Sequence, residues 1–203
     1  MKKNKISKNW INKQRRDIYV RKSKLEGYRS RAAYKLIEIN EKFKLFKNGM
    51  SIVDLGAAPG SWSQYLSKNF NNLKIVSIDL KEIDKIENIF QIKGDFTDEN
   101  QQIKISEYFN DKIDIVISDM AVNTTGNKNV DSIVTGELSL EAMKFAIKCI
   151  KNNGAFVSKI FMGSTFNEII EMAKTKFKET HVFKPNSSRK ESKENFIICK
   201  FLK

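Results

Sequence analysis

The chain is poor in the residues that build metal and disulfide sites. Two cysteines, Cys149 and Cys199, lie far apart in apolar segments, no C-x-x-C occurs, and His181 is the single histidine in 203 residues. That argues against a zinc centre and for a cytoplasmic protein in a reducing environment, with no metal site expected. Proline and glycine are scarce, at 2 and 9, and no fixed-period self-similarity is present, which argues against repeats and interdomain linkers. No apolar run approaches the roughly 18–20 residues of a membrane span, and the lysine-rich start is not followed by an apolar signal core, so neither a membrane location nor a leader is expected. With 40% apolar content, this length can bury one sizeable core, and one domain is the expectation.

What the chain has in excess is positive charge, and its placement is informative. Residues 1–31 carry twelve Lys/Arg against Asp17 and Glu26, so +10 of the net +13 sits in that stretch. Biased base composition would spread lysines along the chain, and would not supply Arg15, Arg16, Arg21, Arg29 and Arg31. The stretch reads as a polyanion-binding arm, with Trp10, Tyr19 and Tyr28 available for stacking. The competing reading is a merely solvated tail.

Beyond the arm, apolar periodicity alternates between strand and helix. Ser30 can cap a helix carrying Ala32, Leu36, Ile39 and Phe43, ending near Asn48 and Gly49. Strands follow at SIVDL (51–55), KIVSID (to Asp79), FQIK (before Gly94 and Asp95) and IDIVIS (to Asp119). Helices are expected at 60–69 and, capped by Thr97, through 109. After the polar loop MAVNTTGNKNV comes an amphipathic helix with Leu138, Ala142, Phe145, Ala146 and Cys149 on one face, stopped by Gly154. The strand AFVSKIF, a helix capped at Ser164 or Thr165, and two strands at roughly 179–184 and 195–202 complete the chain. Alternating strands and helices predict an α/β fold on a mostly parallel sheet, closed by an antiparallel hairpin.

In such sheets ligands bind beyond the carboxyl ends of the strands. Four features converge there: the loop Gly56–Gly60, Asp79, Asp95 and Asp119. The loop fits neither G-x-x-x-x-G-K-[ST] nor G-x-G-x-x-G, which disfavours a P-loop and a nicotinamide dehydrogenase. Glycines let a ligand lie on bare backbone, and Asp79 is placed to accept from ribose hydroxyls. Three carboxylates would repel a polyphosphate and suit a cationic nucleoside, S-adenosylmethionine being the common one. Any one such acid is more often a cap or turn residue; four features in register are not so dismissed. Lys159 shares a strand face with Val157 and Phe161, where an unpaired ammonium is costly, so it needs a partner such as Asp119 or a task.

The blocks RSRAAYKL, FKNGMSIVDLGAAPGSWSQYL, QIKGDFTDE, ISDMAVN, FVSKIF and KPNSSRKESKENF, in this order and spacing from about Tyr28 onward, resemble the FtsJ/RrmJ family of heat-shock ribosomal RNA methyltransferases. The resemblance implies a Rossmann-like S-adenosylmethionine-dependent methyltransferase fold with a seven-stranded sheet, over residues 28–203, preceded by a partly disordered RNA-binding arm at 1–27. It implies methylation of a uridine ribose 2′-hydroxyl in 23S rRNA, within the assembled large ribosomal subunit, with no obligate protein partner. A tetrad Lys35, Asp119, Lys159 and Glu194 and cofactor contacts at Gly60, Trp62, Asp79, Asp95 and Asp119 are likewise implied by it. By the residues alone, Lys35 would read as solvated beside Arg31, Glu38 and Lys42, Glu194 as the charged start of an edge strand, and Trp62 as core. The chain departs from the family pattern at Ser61, Val122, Thr124 and Thr125. Within the resemblance, Lys159 is the candidate both for base and for orienting group. Other readings are tRNA or another RNA as substrate, and a non-catalytic ribosome-assembly or RNA-binding protein on the same scaffold.

Overall fold

The segments 51–55, 74–79, 113–118, 155–161 and 194–200 are rich in apolar residues and largely buried, which is what a sheet covered on both faces requires. The computed structural model describes residues 17–121 and 128–203, the side chains of 128–132 excepted. Helix α1 (Ile18–Leu25) and α2 (Ala33–Phe43) lead into β1 (Ser51–Leu55), α3 (Ser61–Asn69), β2 (Lys74–Asp79), β3 (Ile89–Lys93), α4 (Glu99–Phe109) and β4 (Ile113–Ser118). The chain continues as α5 (Lys128–Cys149), β5 (Ile150–Phe161), α6 (Phe166–Lys176), β6 (Phe177–Phe183) and β7 (Glu194–Leu202). The seven strands form one sheet in the order β3-β2-β1-β4-β5-β7-β6. Pairings are parallel from β3 to β5, while β7 runs antiparallel to both β5 and β6.

Alternation sends successive side chains to opposite faces. Val53, Leu55, Val76, Ile78, Val116 and Phe156 pack under α4, α5 and α6. Ile52, Ile75, Ile115, Ile117, Val157 and Phe196 pack with Leu36 and Ile39 of α2 and Trp62, Tyr65 and Leu66 of α3. Because β1 to β4 are parallel, the residues following them share one rim. Strand β7 begins on that rim, since Glu194 pairs with Phe161 at the end of β5.

Several boundaries differ from those read in the sequence, for local reasons. Helix α2 ends at Phe43, not near Gly49: Lys44 turns left-handed at φ 50, and Asn40 Oδ1 accepts from Leu45 N and Phe46 N at 3.0 and 3.2 Å. Asp98 caps α4 by accepting from Asn100 N at 2.9 Å, whereas Thr97 spends its hydroxyl on Asp95. Helix α5 begins at Lys128, inside the segment read as loop, and ends at Cys149, where β5 starts directly; Gly154 lies within that strand. Val122, Thr124 and Thr125 lie outside the described residues, as does Trp10.

The last stretch of the basic arm is helical. Asp17 Oδ1 caps α1 by accepting from Tyr19 N and Val20 N at 3.0 and 3.4 Å. Tyr19 and Tyr28 set their rings against Tyr34 at 5.4 and 5.9 Å, so both aromatics are engaged within the protein. No helix among the described residues is long and apolar enough to cross a membrane.

Candidate active site

The glycine loop leaves β1 and keeps contact with β2, as Gly56 N and Ala57 N donate to Ile78 O at 2.9 and 3.2 Å. Gly56 and Gly60 hold φ of 69° and 99°, a region glycine enters without steric cost. Both are also crowded: a Cβ on Gly56 would overlap the Met120 side chain, and one on Gly60 would lie 2.8 Å from Arg29 Nη1 and 2.9 Å from Ile86 Cδ1. Arg29 ties this cradle together, donating to Pro59 O (3.0 Å), Asp84 O (2.7 Å) and Lys85 O (3.0 Å). Ser61, at the position where the family pattern has glycine, uses its hydroxyl on Ser30 Oγ at 2.7 Å, a bond that glycine could not make.

The carboxylates stand at the expected rim. Asp79 accepts from Ala58 N at 2.9 Å and Lys81 N at 2.8 Å, so it fixes the loop. Asp95 is exposed and accepts from Thr97 N and Oγ1 through Oδ1 alone. Leu80, beside them, is 69% exposed, an apolar surface suited to a flat base. Trp62 is different. Its indole is buried against Phe196 with the rings 5.9 Å apart, and Nε1 donates to Ala32 O at 2.8 Å. The side chain of Trp62 therefore belongs to the core, and only its backbone N–H, in the first turn of α3, is placed to meet a ligand.

The structure brings Lys35, Asp119, Lys159 and Glu194 together. Lys159 Nζ donates to Asp119 O at 2.5 Å and Oδ1 at 3.0 Å. Lys35 Nζ lies 3.4 Å from the same Oδ1 and donates to Glu194 Oε2 at 2.9 Å. Ser188 Oγ completes the row by donating to Glu194 Oε1 at 2.8 Å. Two ammoniums and two carboxylates thus alternate in a nearly dry setting, Lys159 being 7% and Glu194 9% exposed. Burial opposes the ionisation of Asp119, yet Lys159 and Lys35 hold its carboxyl below the ordinary range. Burial likewise opposes charge on Lys35, but Asp119 and Glu194 lift it above the usual ammonium value. The expected i,i+3 partner of Lys35, Glu38, is used elsewhere: its carboxylate accepts from Asn186 N and Ser187 N at 2.5 and 2.8 Å, clasping the β6–β7 loop to α2.

Sequence reasoning does not single out Asp54, which is 1% exposed beneath the cradle. Ser63 Oγ lies 2.6 Å from Asp54 Oδ2 and 2.6 Å from Ser77 Oγ. Burial pushes the Asp54 carboxyl up to about 7, against the opposing hydrogen bonds of Ser63. The usable signal was a carboxylate inside an apolar strand, the same one that picks out Lys159.

A glycine cradle with orphan helix N–H groups, an exposed apolar residue and three acids fits a cationic nucleoside. No group of three or more His, Cys, Asp or Glu among the described residues is arranged to hold a metal ion. Both cysteines are free thiols, with burial raising each to about 12. Sheet order and acidic rim define a Rossmann-like methyltransferase. Residues 28–202 match the FtsJ-like methyltransferase family, to which the chain belongs. It is 64% identical over the whole of both chains to a Pelagibacter ubique protein described as ribosomal RNA large subunit methyltransferase E. A Rickettsia akari protein of the same description is 50% identical over 95% of this chain and 88% of its own. A solved Plasmodium falciparum structure, described as a ribosomal RNA methyltransferase, superposes with TM-score 0.77 at 36% identity, over 86% of this chain and 98% of that one.

Proposed function

We propose that the protein methylates a uridine ribose 2′-hydroxyl of 23S ribosomal RNA with S-adenosylmethionine as donor. The observation that carries this reading is the alternating row Lys159–Asp119–Lys35–Glu194 at the rim beside the glycine cradle, in a chain of the FtsJ-like family. S-adenosylmethionine supplies a methyl group on a sulfonium, open to in-line displacement by oxygen. Gly60, the Trp62 backbone, Asp79, Asp95 and Asp119 are the residues we assign to holding it.

The catalytic residues of this reading are Lys159, Lys35, Asp119 and Glu194. An ammonium has three donors, and Lys159 uses its bonds on Asp119 O and Oδ1, which leaves a direction for the ribose oxygen. Asp119 thereby aims Lys159, and Glu194 holds Lys35 beside the same Asp119 carboxylate. The hydroxyl proton becomes strongly acidic as its oxygen gains a methyl group, so a carboxylate suffices to accept it. We assign Lys184, Arg189, Lys190 and Lys193 of the β6–β7 loop, with the arm at 1–27, to gripping RNA phosphates. We further assign the assembled large subunit as the substrate form, a cytoplasmic location, and no obligate protein partner.

The test is incubation with methyl-labelled S-adenosylmethionine and, separately, 23S rRNA, tRNA and assembled large subunits. Label is expected in 23S rRNA, most strongly in assembled subunits, and in an alkali-resistant dinucleotide, because a 2′-O-methyl group blocks backbone cleavage. Label in tRNA, or on a base, overturns the proposal.

A further inference from the structure

Beside the lysine–carboxylate row lies a cavity of about 380 Å³ bounded by Arg31, Lys35, Arg189 and Glu194. Both guanidinium groups lie beside Asp17, and Glu194 and Glu191 on the cavity wall also act on Arg31. Asp17 divides its carboxylate: Oδ1 caps α1, while Oδ2 receives Arg31 Nη1 and lies 3.8 Å from Arg189 Nε. That second distance is too long for a hydrogen bond, and Arg189 Nε is buried without a hydrogen-bond partner among the described residues. Arg31 is fixed by donating Nη2 to Ser187 O, and Lys35 follows it by one helical turn. The result is a carboxylate-sized anion seat with an unmet donor, one turn away from the ammonium that pairs with Glu194.

We propose that Arg31 and Arg189 form a subsite for a phosphodiester of the RNA chain next to the methylated ribose, and that Asp17 occupies this seat in the free protein as an internal stand-in for phosphate. The inference rests on the RNA substrate proposed above. Guanidinium forks match phosphate oxygens bidentately, and a phosphodiester offers the second oxygen that Arg189 Nε lacks. On binding, phosphate displaces Oδ2, and α1 loses the tie that fixes it to Arg31. RNA binding is thereby coupled to the position of the basic arm.

Asp17→Asn tests this, because asparagine caps a helix as well as aspartate while removing the competing charge. Polyuridylate affinity at fixed salt is measured for the wild type, Asp17→Asn, Arg189→Ala and the double variant, with thermal midpoints to verify folding. Asp17→Asn should bind about threefold to tenfold more tightly, and the gain should vanish in the Arg189→Ala background. An unchanged affinity overturns the subsite. So does a gain of equal size in both backgrounds, since that is only the general effect of losing one negative charge. Methyl transfer by the wild type is read separately on 23S rRNA. Transfer without the Asp17→Asn gain sinks the subsite alone, and a gain without transfer sinks the methylation reading alone.

Discussion

Replacing Lys159 with methionine keeps the length of the side chain and deletes its ammonium. The bonds to Asp119 O at 2.5 Å and Oδ1 at 3.0 Å disappear, and the balanced row becomes net negative by one. Asp119 keeps Lys35 at 3.4 Å, so the stability cost falls below the roughly 3–5 kcal/mol of an orphaned buried charge. It should be near the ~1–3 kcal/mol of an unsatisfied buried acceptor. For a chain of this size the melting midpoint then drops by about 2–12 °C. Methyl transfer should fall by about 10²–10⁴, equivalent to roughly 3–5 kcal/mol of barrier, because the ribose oxygen is no longer aimed. S-adenosylmethionine affinity should fall far less than transfer, since Gly60, Asp79 and Asp95 are untouched and Asp119 alone among the assigned cofactor residues loses a partner. Single-turnover transfer to 23S rRNA at saturating cofactor, with calorimetric titration of S-adenosylmethionine, separates the two effects. Equal loss of transfer and cofactor affinity would show that Lys159 is structural; transfer within tenfold of the wild type would show that another group orients the oxygen. The acid limb supplies a second check. The Asp119 carboxyl is depressed in the fold, so its contribution is complete above about pH 4 and is lost as pH falls through the folded value. Removing one of its two cations raises that folded value, and urea midpoints of the variant should begin to fall at a higher pH than those of the wild type.

Asp54→Asn should behave in the opposite sense. Raised to about 7 when folded, the Asp54 carboxyl makes the wild type lose stability as pH rises from about 4 to 7, by up to on the order of 4 kcal/mol. The variant should therefore gain on the wild type across that window in urea titrations, and parallel curves would refute the assignment. Trp62→Phe leaves the partly buried Ala32 carbonyl without its indole donor and should cost about 1–3 kcal/mol. Cofactor affinity should be preserved, and a tenfold loss on titration would place the indole at the ligand. Gly60→Ala combines a positive φ with a collision against Arg29 and Ile86, for a cost of about 1–3 kcal/mol in thermal unfolding. It should also weaken S-adenosylmethionine binding; a variant equal to the wild type in both measurements would show that the cradle yields.

The parallel core was legible because strand and helix periods write themselves into local sequence. SIVDL and KIVSID occupy the strands read for them, at 51–55 and 74–79, and Lys159 stood out as a lone cation among apolar neighbours. Lys35 did not, because nothing within a few residues distinguishes it from a solvated lysine. Its partner is Glu194, 159 positions away, and only the closing of the sheet reveals the pair. Helix ends were missed where side chains and not glycines do the work, as with Asn40 behind Lys44 and Asp98 beside Thr97. Trp62 shows the converse. A motif position can mark a ligand-facing backbone while its side chain serves the core.

Strand β7 comes after every other strand in sequence, yet it lies between β5 and β6 and brings in Glu194. During synthesis the interior slot therefore waits for the final strand, with the outermost strand β6 already made. Until that insertion the rim holds two lysines against a single acid, and charge repulsion favours keeping it open. A nascent chain would thus remain unable to modify RNA until β7 itself has been made, a timing built into the order of the strands.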